Sequence, residues 1–292
     1  LFLFSFSCQF FSNLFSSIHN IEWWQGFCVN AAVLKLCSYF RFNAASRKEA
    51  QVFRVEHFYP ISNVRSGVPE CEFLLNHDDC EGFFKEVRDQ RNSYGTDMFL
   101  FDLVLKNAQD IGVRRFSFNI DLASAFEPDF AESAQKSCLD CGFLPSGVVF
   151  EITEHAEIPE GASEAVLLNI LDHGFGIAID DFDPYKPQQV ERLARLASYA
   201  RILKFDHSLG ERFAKGQAEQ VVAEILKYRA LYPDKIFVLE GVSPEALGDQ
   251  NSYLYELGRA GIDVAQEFVP KENRQAGMSS KQDLKGREFA CA

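Results

Sequence analysis

Acids, amides and one lysine recur at the same kind of place along this chain, at or near the end of a short β-branched or aromatic run. Glu72 lies inside the second such run, Asn119 closes the third and Glu151 the fourth. Asp180 and Asp181 close the fifth, Lys204 and Asp206 the sixth, Glu240 the seventh and Gln266 the eighth. Taken singly, each has a plain structural reading, because an acid after a strand is often only the N-cap of the next helix. Taken together they put many carboxylates on one face. Clustered carboxylates raise one another's pKa unless a cation neutralises them, so a metal is the economical resolution. Oxygen ligands without a Cys/His cluster point to Mg²⁺ or Mn²⁺ rather than zinc. The adjacent Asp180 and Asp181 suit a pair of ions, one carboxylate bridging both while its neighbour serves the second. Two ions about 3.5–4 Å apart clamp a phosphodiester and lower the pKa of an attacking water. Lys204 would add positive charge toward the nucleophile or the transition state.

Such residues converge only if the runs are strands of one closed sheet. The candidate strands are 57–62, 70–75, 115–120, 148–152, 176–180, 201–205, 236–239 and 263–268, and eight is the number of an α/β barrel. Between them lie stretches with helical spacing, such as 96–111 and 218–230; in the latter Ala218, Val221, Val222, Ile225 and Leu226 recur at three and four. Alternating strand and helix patterns predict βα units, a parallel sheet and an outer layer of helices. In such a barrel the polar groups that do chemistry sit where each strand ends.

The bulk numbers agree. The 292 residues leave room for one barrel and a short appendage, and 47% apolar with 24% charged residues is the composition of a globular protein. A net charge of −13 with no recurring Lys/Arg stripe argues against a nucleic acid polymer as partner. Eight scattered cysteines do not make a disulfide framework, which predicts a reducing, cytoplasmic setting. Cys138 and Cys141 have C-x-x-C spacing but no second pair, and read as two thiols on a helix. Residues 1–18 are rich in Phe, Leu and Ser. No Lys or Arg precedes their apolar run, and Gln9 and Asn13 interrupt it. They make a poor signal or membrane anchor, and membrane contact is not expected except through this segment. Polar residues 46–51 form the best linker. The predicted division is an N-terminal segment 1–50 without assigned role, a barrel domain 51–272 and a polar tail 273–292.

At this point the residues resemble a known family, the EAL domains, phosphodiesterases and receptors for cyclic di-GMP that fold as a TIM-like (β/α)8 barrel. The matches, in the family's order, are Glu72-Phe-Leu-Leu-Asn76, Phe118-Asn119-Ile-Asp121, Phe150-Glu151-Ile-Thr-Glu154, Ile179-Asp180-Asp181-Phe182, Leu203-Lys204-Phe-Asp206, Leu239-Glu240-Gly241-Val242 and Ala265-Gln266-Glu267. The resemblance implies that Glu72, Asn119, Glu151 and Asp180 hold one Mg²⁺ or Mn²⁺, with Asp180, Asp181 and Glu240 serving a second. It places Lys204 and Gln266 near the attacking water and the substrate. Lys204, Glu240 and Asp181 are the expected catalytic groups, and Asn76, Asp206, Gln266 and Lys186 the expected substrate contacts. Within the naming motif, Glu70 lies two residues before Glu72 and is the fallback for its role.

Departures from the family pattern surround the substrate rather than the metals. The Arg that usually ends the naming motif is Asn76, which removes a charged phosphate contact. The loop 182–187 carries Pro184 and Pro187 where the family has a flexible Gly-Thr-Gly stretch, and its Lys186 is expected to replace part of the lost charge. Ser243 stands for a glutamate, Glu267 for a glycine and Tyr59 for a glutamine. Three readings follow: a hydrolase opening cyclic di-GMP to the linear dinucleotide, a receptor that binds it with little turnover, or a protein-interaction module. The resemblance also implies a homodimer, which the sequence itself does not show.

Overall fold

The computed structural model describes residues 53–61, 68–76, 80–153, 166–243 and 253–268. The segment 1–50, the linker 46–51, Glu154 and the tail 273–292 lie outside them. The described residues divide into two compact units, the barrel within Gln51–Cys80 and Ser93–Ala292, and a separate stretch, Glu81–Asn92. That stretch carries most of α1 (Cys80–Asp89), with Phe83 and Val87 buried on one side and Lys85 paired to Asp89 on the other.

Eight strands close a barrel in sequence order: β1 (Phe53–Pro60), β2 (Cys71–Leu75), β3 (Phe116–Ile120), β4 (Val148–Ile152), β5 (Gly176–Phe182), β6 (Ile202–Phe205), β7 (Ile236–Val242) and β8 (Val264–Glu267). Each overlaps a run expected from the sequence. Helices follow the strands: α2 (Ser93–Ile111), α3 (Leu122–Ala125), α4 (Phe130–Asp140), α5 (Val166–Asp172), α6 (Pro187–Leu196), α7 (Ser208–Arg212), α8 (Ala218–Leu231) and α9 (Tyr253–Ala260).

Two expectations need correction. β1 begins at Phe53 rather than at residue 57, and the sheet is not wholly parallel. β2 to β8 are parallel neighbours, but β1 runs antiparallel to both β2 and β8. Connection length gives the reason: a parallel crossover takes about a dozen residues or more, usually with a helix, and 61–70 is too short for one.

Strand alternation explains how the interior is filled. Phe58, Val149, Ala178, Ile202, Val238 and Val264 belong to one buried apolar cluster. Two residues from each, on the same inward face, stand Glu56, Glu151, Asp180, Lys204, Glu240 and Gln266. The barrel is thus an apolar plug with a polar layer above it. Residues of opposite parity face the helices, where Phe150 meets Phe101, Phe130 and Phe175 at ring-centroid distances of 5.3, 5.2 and 4.8 Å. On the other side Phe205 packs edge to face with Phe182, which shares the parity of Asp180 but reaches this outer layer through the irregularity in β5 between Ile179 and Phe182, and Phe182 in turn packs against Tyr228. Such rings exclude water from behind the strands.

Cys138 is buried, its thiol pushed up to about 12 chiefly by desolvation, and Cys141 is half-buried just past the end of α4. Neither is in a disulfide, and only Cys138 lies on the helix, Cys141 being its C-cap rather than the second helical thiol expected from the sequence.

Candidate active site

The polar layer converges on Lys204. Its side chain is 1% exposed, and its Nζ lies 3.1 Å from Glu72 Oε2, 2.6 Å from Asp180 Oδ1 and 2.6 Å from Glu240 Oε1, with Glu151 Oε2 closer still. Four strands therefore each send a carboxylate to one ammonium brought by a fifth. Glu72 is also held by Asn119, whose Nδ2 donates to Oε1, and by Gln266, whose Nε2 donates to Oε2 at 2.6 Å.

Burial sets the electrostatics. Desolvation opposes the charge on Lys204, yet Asp180, Glu151, Glu240 and Glu72 together hold its pKa well above the usual lysine range. Glu151 is pushed well above the carboxylate range, first by desolvation and then by Glu72, with Lys204 opposing. Glu240 shifts the same way through desolvation, against Lys204 and with Asp180 and Asp181 adding to the rise. One ammonium thus leaves the carboxylates under-neutralised.

Two irregularities aim the acids. The β5–β6 pairing shifts register between Ile179 and Phe182, and the β7–β8 pairing between Leu239 and Val242. Each bulge turns the strand end and changes which side chain points inward. At the first, Asp181 takes a φ of 52°, a left-handed conformation that Asp tolerates better than most residues. At the second, Gly241 has a φ of 70°, and a Cβ there would collide with the side chain of His207.

The remaining expected residues fall elsewhere. Asn76 is half-buried just past the end of β2. Asp206 accepts from the Ser208 N–H at 2.9 Å, and His207 Nδ1 stands 3.4 Å from its other oxygen, so its carboxylate caps the start of α7. Lys186 is 56% exposed on its side chain and pairs with Asp183 at 3.8 Å, away from the ammonium cluster. Glu70 pairs with Arg115 at 3.4 Å on the outside, so of the two glutamates only Glu72 enters the cluster.

Three features escape the sequence reading. Glu56 is buried on β1, and Gln266 reaches it at 3.4 Å; its signal is the alternation with Phe58, hidden by starting the strand at residue 57. Arg192 of α6 donates to the carbonyls of Ile152, Thr153 and Asp180, tying the ends of β4 and β5 together. Asp97 of α2, buried, accepts from the Asp121 N–H and the Ser124 hydroxyl and so braces the turn after Asn119. Nothing in the local sequence marks either of the last two.

A metal pair has been inferred from the sequence, and here the acids enclose an ammonium. Among the described residues no three His, Cys, Asp or Glu side chains stand at metal-binding geometry. The donor set nonetheless fits hard divalent ions. It consists of oxygens, its carboxylates carry more negative charge than Lys204 cancels, and the buried Oδ1 of Asn119 has no hydrogen-bond partner among the described residues.

The profile of the EAL domain matches residues 57–246, well over half of the chain, and the protein belongs to that family. No curated protein matches it by sequence. Similar solved structures include the EAL enzyme Bd1971 with cAMP and cyclic di-GMP bound (16% identity, TM-score 0.58), covering 81% of this chain and 66% of that one. The PaMucR phosphodiesterase in complex with c-di-GMP has 19% identity and a TM-score of 0.53, covering 82% of this chain and 99% of that one. The FimX EAL domain of Xanthomonas citri, also with c-di-GMP, has 12% identity and a TM-score of 0.56, covering 80% and 90%. At these identities the likeness establishes the fold, an EAL-type α/β barrel. Among the described residues no helix is long and apolar enough to cross a membrane.

Proposed function

We propose that this protein is a metal-dependent phosphodiesterase that opens cyclic di-GMP to the linear dinucleotide. The observation that carries the reading is the convergence of Glu72, Glu151, Asp180 and Glu240, from four strands, on the buried ammonium of Lys204. No structural need explains three buried acids and a half-buried fourth at one point, because an apolar interior would be at least as stable. Membership of the EAL family and neighbours solved with cyclic di-GMP supply the substrate class.

In this reading Glu72, Asn119, Glu151 and Asp180 would hold one Mg²⁺ or Mn²⁺, and Asp180, Asp181 and Glu240 would serve a second. When bound, the ions supply Lewis acidity to the phosphodiester and lower the pKa of water. The chain's own residues do the rest. Lys204 brings a positive charge that burial keeps unscreened. The apolar plug beneath and the aromatic rings behind exclude bulk water. Arg192 holds the ends of β4 and β5 in register, so Glu151 and Asp180 stay at a fixed spacing. Among the described residues Cys71, Cys138 and Cys141 are thiols outside any disulfide, which fits a reducing, cytoplasmic setting.

The test is direct. Purified protein incubated with cyclic di-GMP and Mn²⁺ should yield the linear dinucleotide, chelator should stop it, and Asp180→Asn should lower the rate about a hundredfold or more. Folded protein that binds the nucleotide and gives no linear product would favour a receptor instead. The exposed position of Lys186 and the capping duty of Asp206 are the observations on that side.

A further inference from the structure

In the antiparallel β1–β2 ladder Glu56 stands directly across from Glu72. Both are buried, at 6% and 2% exposure. Like charges at one rung repel, and the neighbouring inward position on β1 is the apolar Phe58, so fold alone does not ask for a second acid there. Neither Glu56 nor Gln266 falls in the 57–246 stretch matched by the family profile.

What links the two acids is the carboxamide of Gln266. Its Nε2 donates to Glu72 Oε2 at 2.6 Å and lies 3.4 Å from Glu56 Oε2. Arg54 donates to the other oxygen of Glu56 at 3.2 Å, and Glu72 already accepts from Lys204 and Asn119. An ionised carboxylate only accepts, so the NH₂ end of the amide must be the end turned toward this pair. That choice fixes the other end. Gln266 Oε1 is buried and has no partner among the described residues, a rare condition for an acceptor in a folded protein.

We propose that Glu56 is a positioning residue: with Glu72 it takes both amide hydrogens of Gln266 and thereby commits Oε1 to accept from a donor of the bound nucleotide. This deepens the proposed function and rests on it for the identity of the ligand. Cyclic di-GMP carries the required donors, its guanine N–H groups and ribose hydroxyls. A site without Glu56 would leave the amide one acceptor short and free to turn.

The experiment uses the full chain. Glu56→Leu extends an apolar face, and the freed Arg54, 26% exposed on its side chain, can reach water, so the variant should fold. In ¹H–¹⁵N spectra the Gln266 side-chain pair is identified by its loss in Gln266→Leu. In wild type it should be protected from solvent exchange. In Glu56→Leu it should shift and exchange about tenfold faster or more, and Glu56→Gln, which keeps an accepting oxygen, should restore it. By calorimetry with cyclic di-GMP and Ca²⁺, Glu56→Leu should bind about tenfold more weakly. Adding it to Gln266→Leu should cost nothing further. Unchanged Gln266 signals in Glu56→Leu, or losses of the two single variants that multiply, would overturn the proposal. Should wild type bind no cyclic di-GMP, the functional reading falls, and the amide signals alone decide the role of Glu56.

Discussion

Around Lys204 the four carboxylates approach to 3.1 Å or less, with side-chain exposures from 1% to 14%. Around Asp183, in the loop between β5 and α6, the cations Lys186 and Arg212 stay at 3.8 and 3.9 Å and are 56% and 36% exposed. The two clusters lie on the same rim and use the same chemistry, yet water divides them. In the first, low dielectric makes every charge depend on every other. In the second, solvent screens the cations, and what holds the loop is hydrogen bonding to the buried Asp183, whose carboxylate accepts from the Tyr185 N–H at 3.0 Å and whose backbone N–H donates to Gln189 Oε1. Arg212 then lies over the Tyr185 ring at 4.3 Å. A charge change should therefore be felt across the whole site in one place and only locally in the other.

The sharpest break of that comparison is Lys204→Met, which keeps length and removes the charge. Stripping one partner from a buried ionic group costs about 3–5 kcal/mol, roughly ten degrees of melting temperature for a domain of this size. Activity should be lost. In chelator the variant should melt far below wild type, and Mn²⁺ should recover more of its stability than it adds to wild type, because the divalent ion then supplies all the neutralising charge. An equal response of both proteins to Mn²⁺ would mean that the carboxylates do not share a cation site.

The asymmetry between the two regions also governs how much the sequence disclosed. Inward acids are legible because a strand's alternation is legible: once 148–152 reads as a strand, Glu151 must share a face with Val149, and the same step places Asp180, Lys204 and Glu240. Glu56 obeys the same rule and is hidden only by a strand boundary. The antiparallel course of β1 was hidden for a different reason, since direction depends on the short connection 61–70 rather than on residue pattern. Pairings across long stretches of chain are not written in any local pattern. Tyr59 and Glu267, separate weakening departures when read along the chain, meet across the β1–β8 seam with the tyrosine hydroxyl 3.1 Å from the carboxylate. Likewise Asp183 is only an unusual residue after Asp-Asp-Phe until Gln189 and Arg212 are brought to it.

A smaller effect is expected from Asp183→Ala. The substitution removes an acceptor from the Tyr185 N–H and the counter-charge of two half-exposed cations, which can turn to water, so the cost should be about 1–2 kcal/mol. Because the loop is fastened by its own residues, the loss should stay there. Hydrogen exchange measured by mass spectrometry should speed up about tenfold in peptides covering 183–189, with β4, β5 and β6 unchanged. Acceleration spreading into those strands would show that the loop and the Lys204 cluster are one cooperative unit, and the contrast drawn between them would fail.

Lys186→Ala should do least. An exposed pair at 3.8 Å contributes between about 0 and 1 kcal/mol, so the melting temperature should hardly move. Binding is the more informative readout, because a lysine at the rim attracts phosphate even when it contributes nothing to the fold. If Lys186 stands in for the arginine replaced by Asn76, affinity for cyclic di-GMP at low salt should fall about threefold, and the deficit should shrink at about 0.5 M salt as screening removes what the lysine supplied. An affinity unchanged at both salt concentrations would separate Lys186 from the nucleotide and leave the phosphate to the ions held by the buried cluster alone.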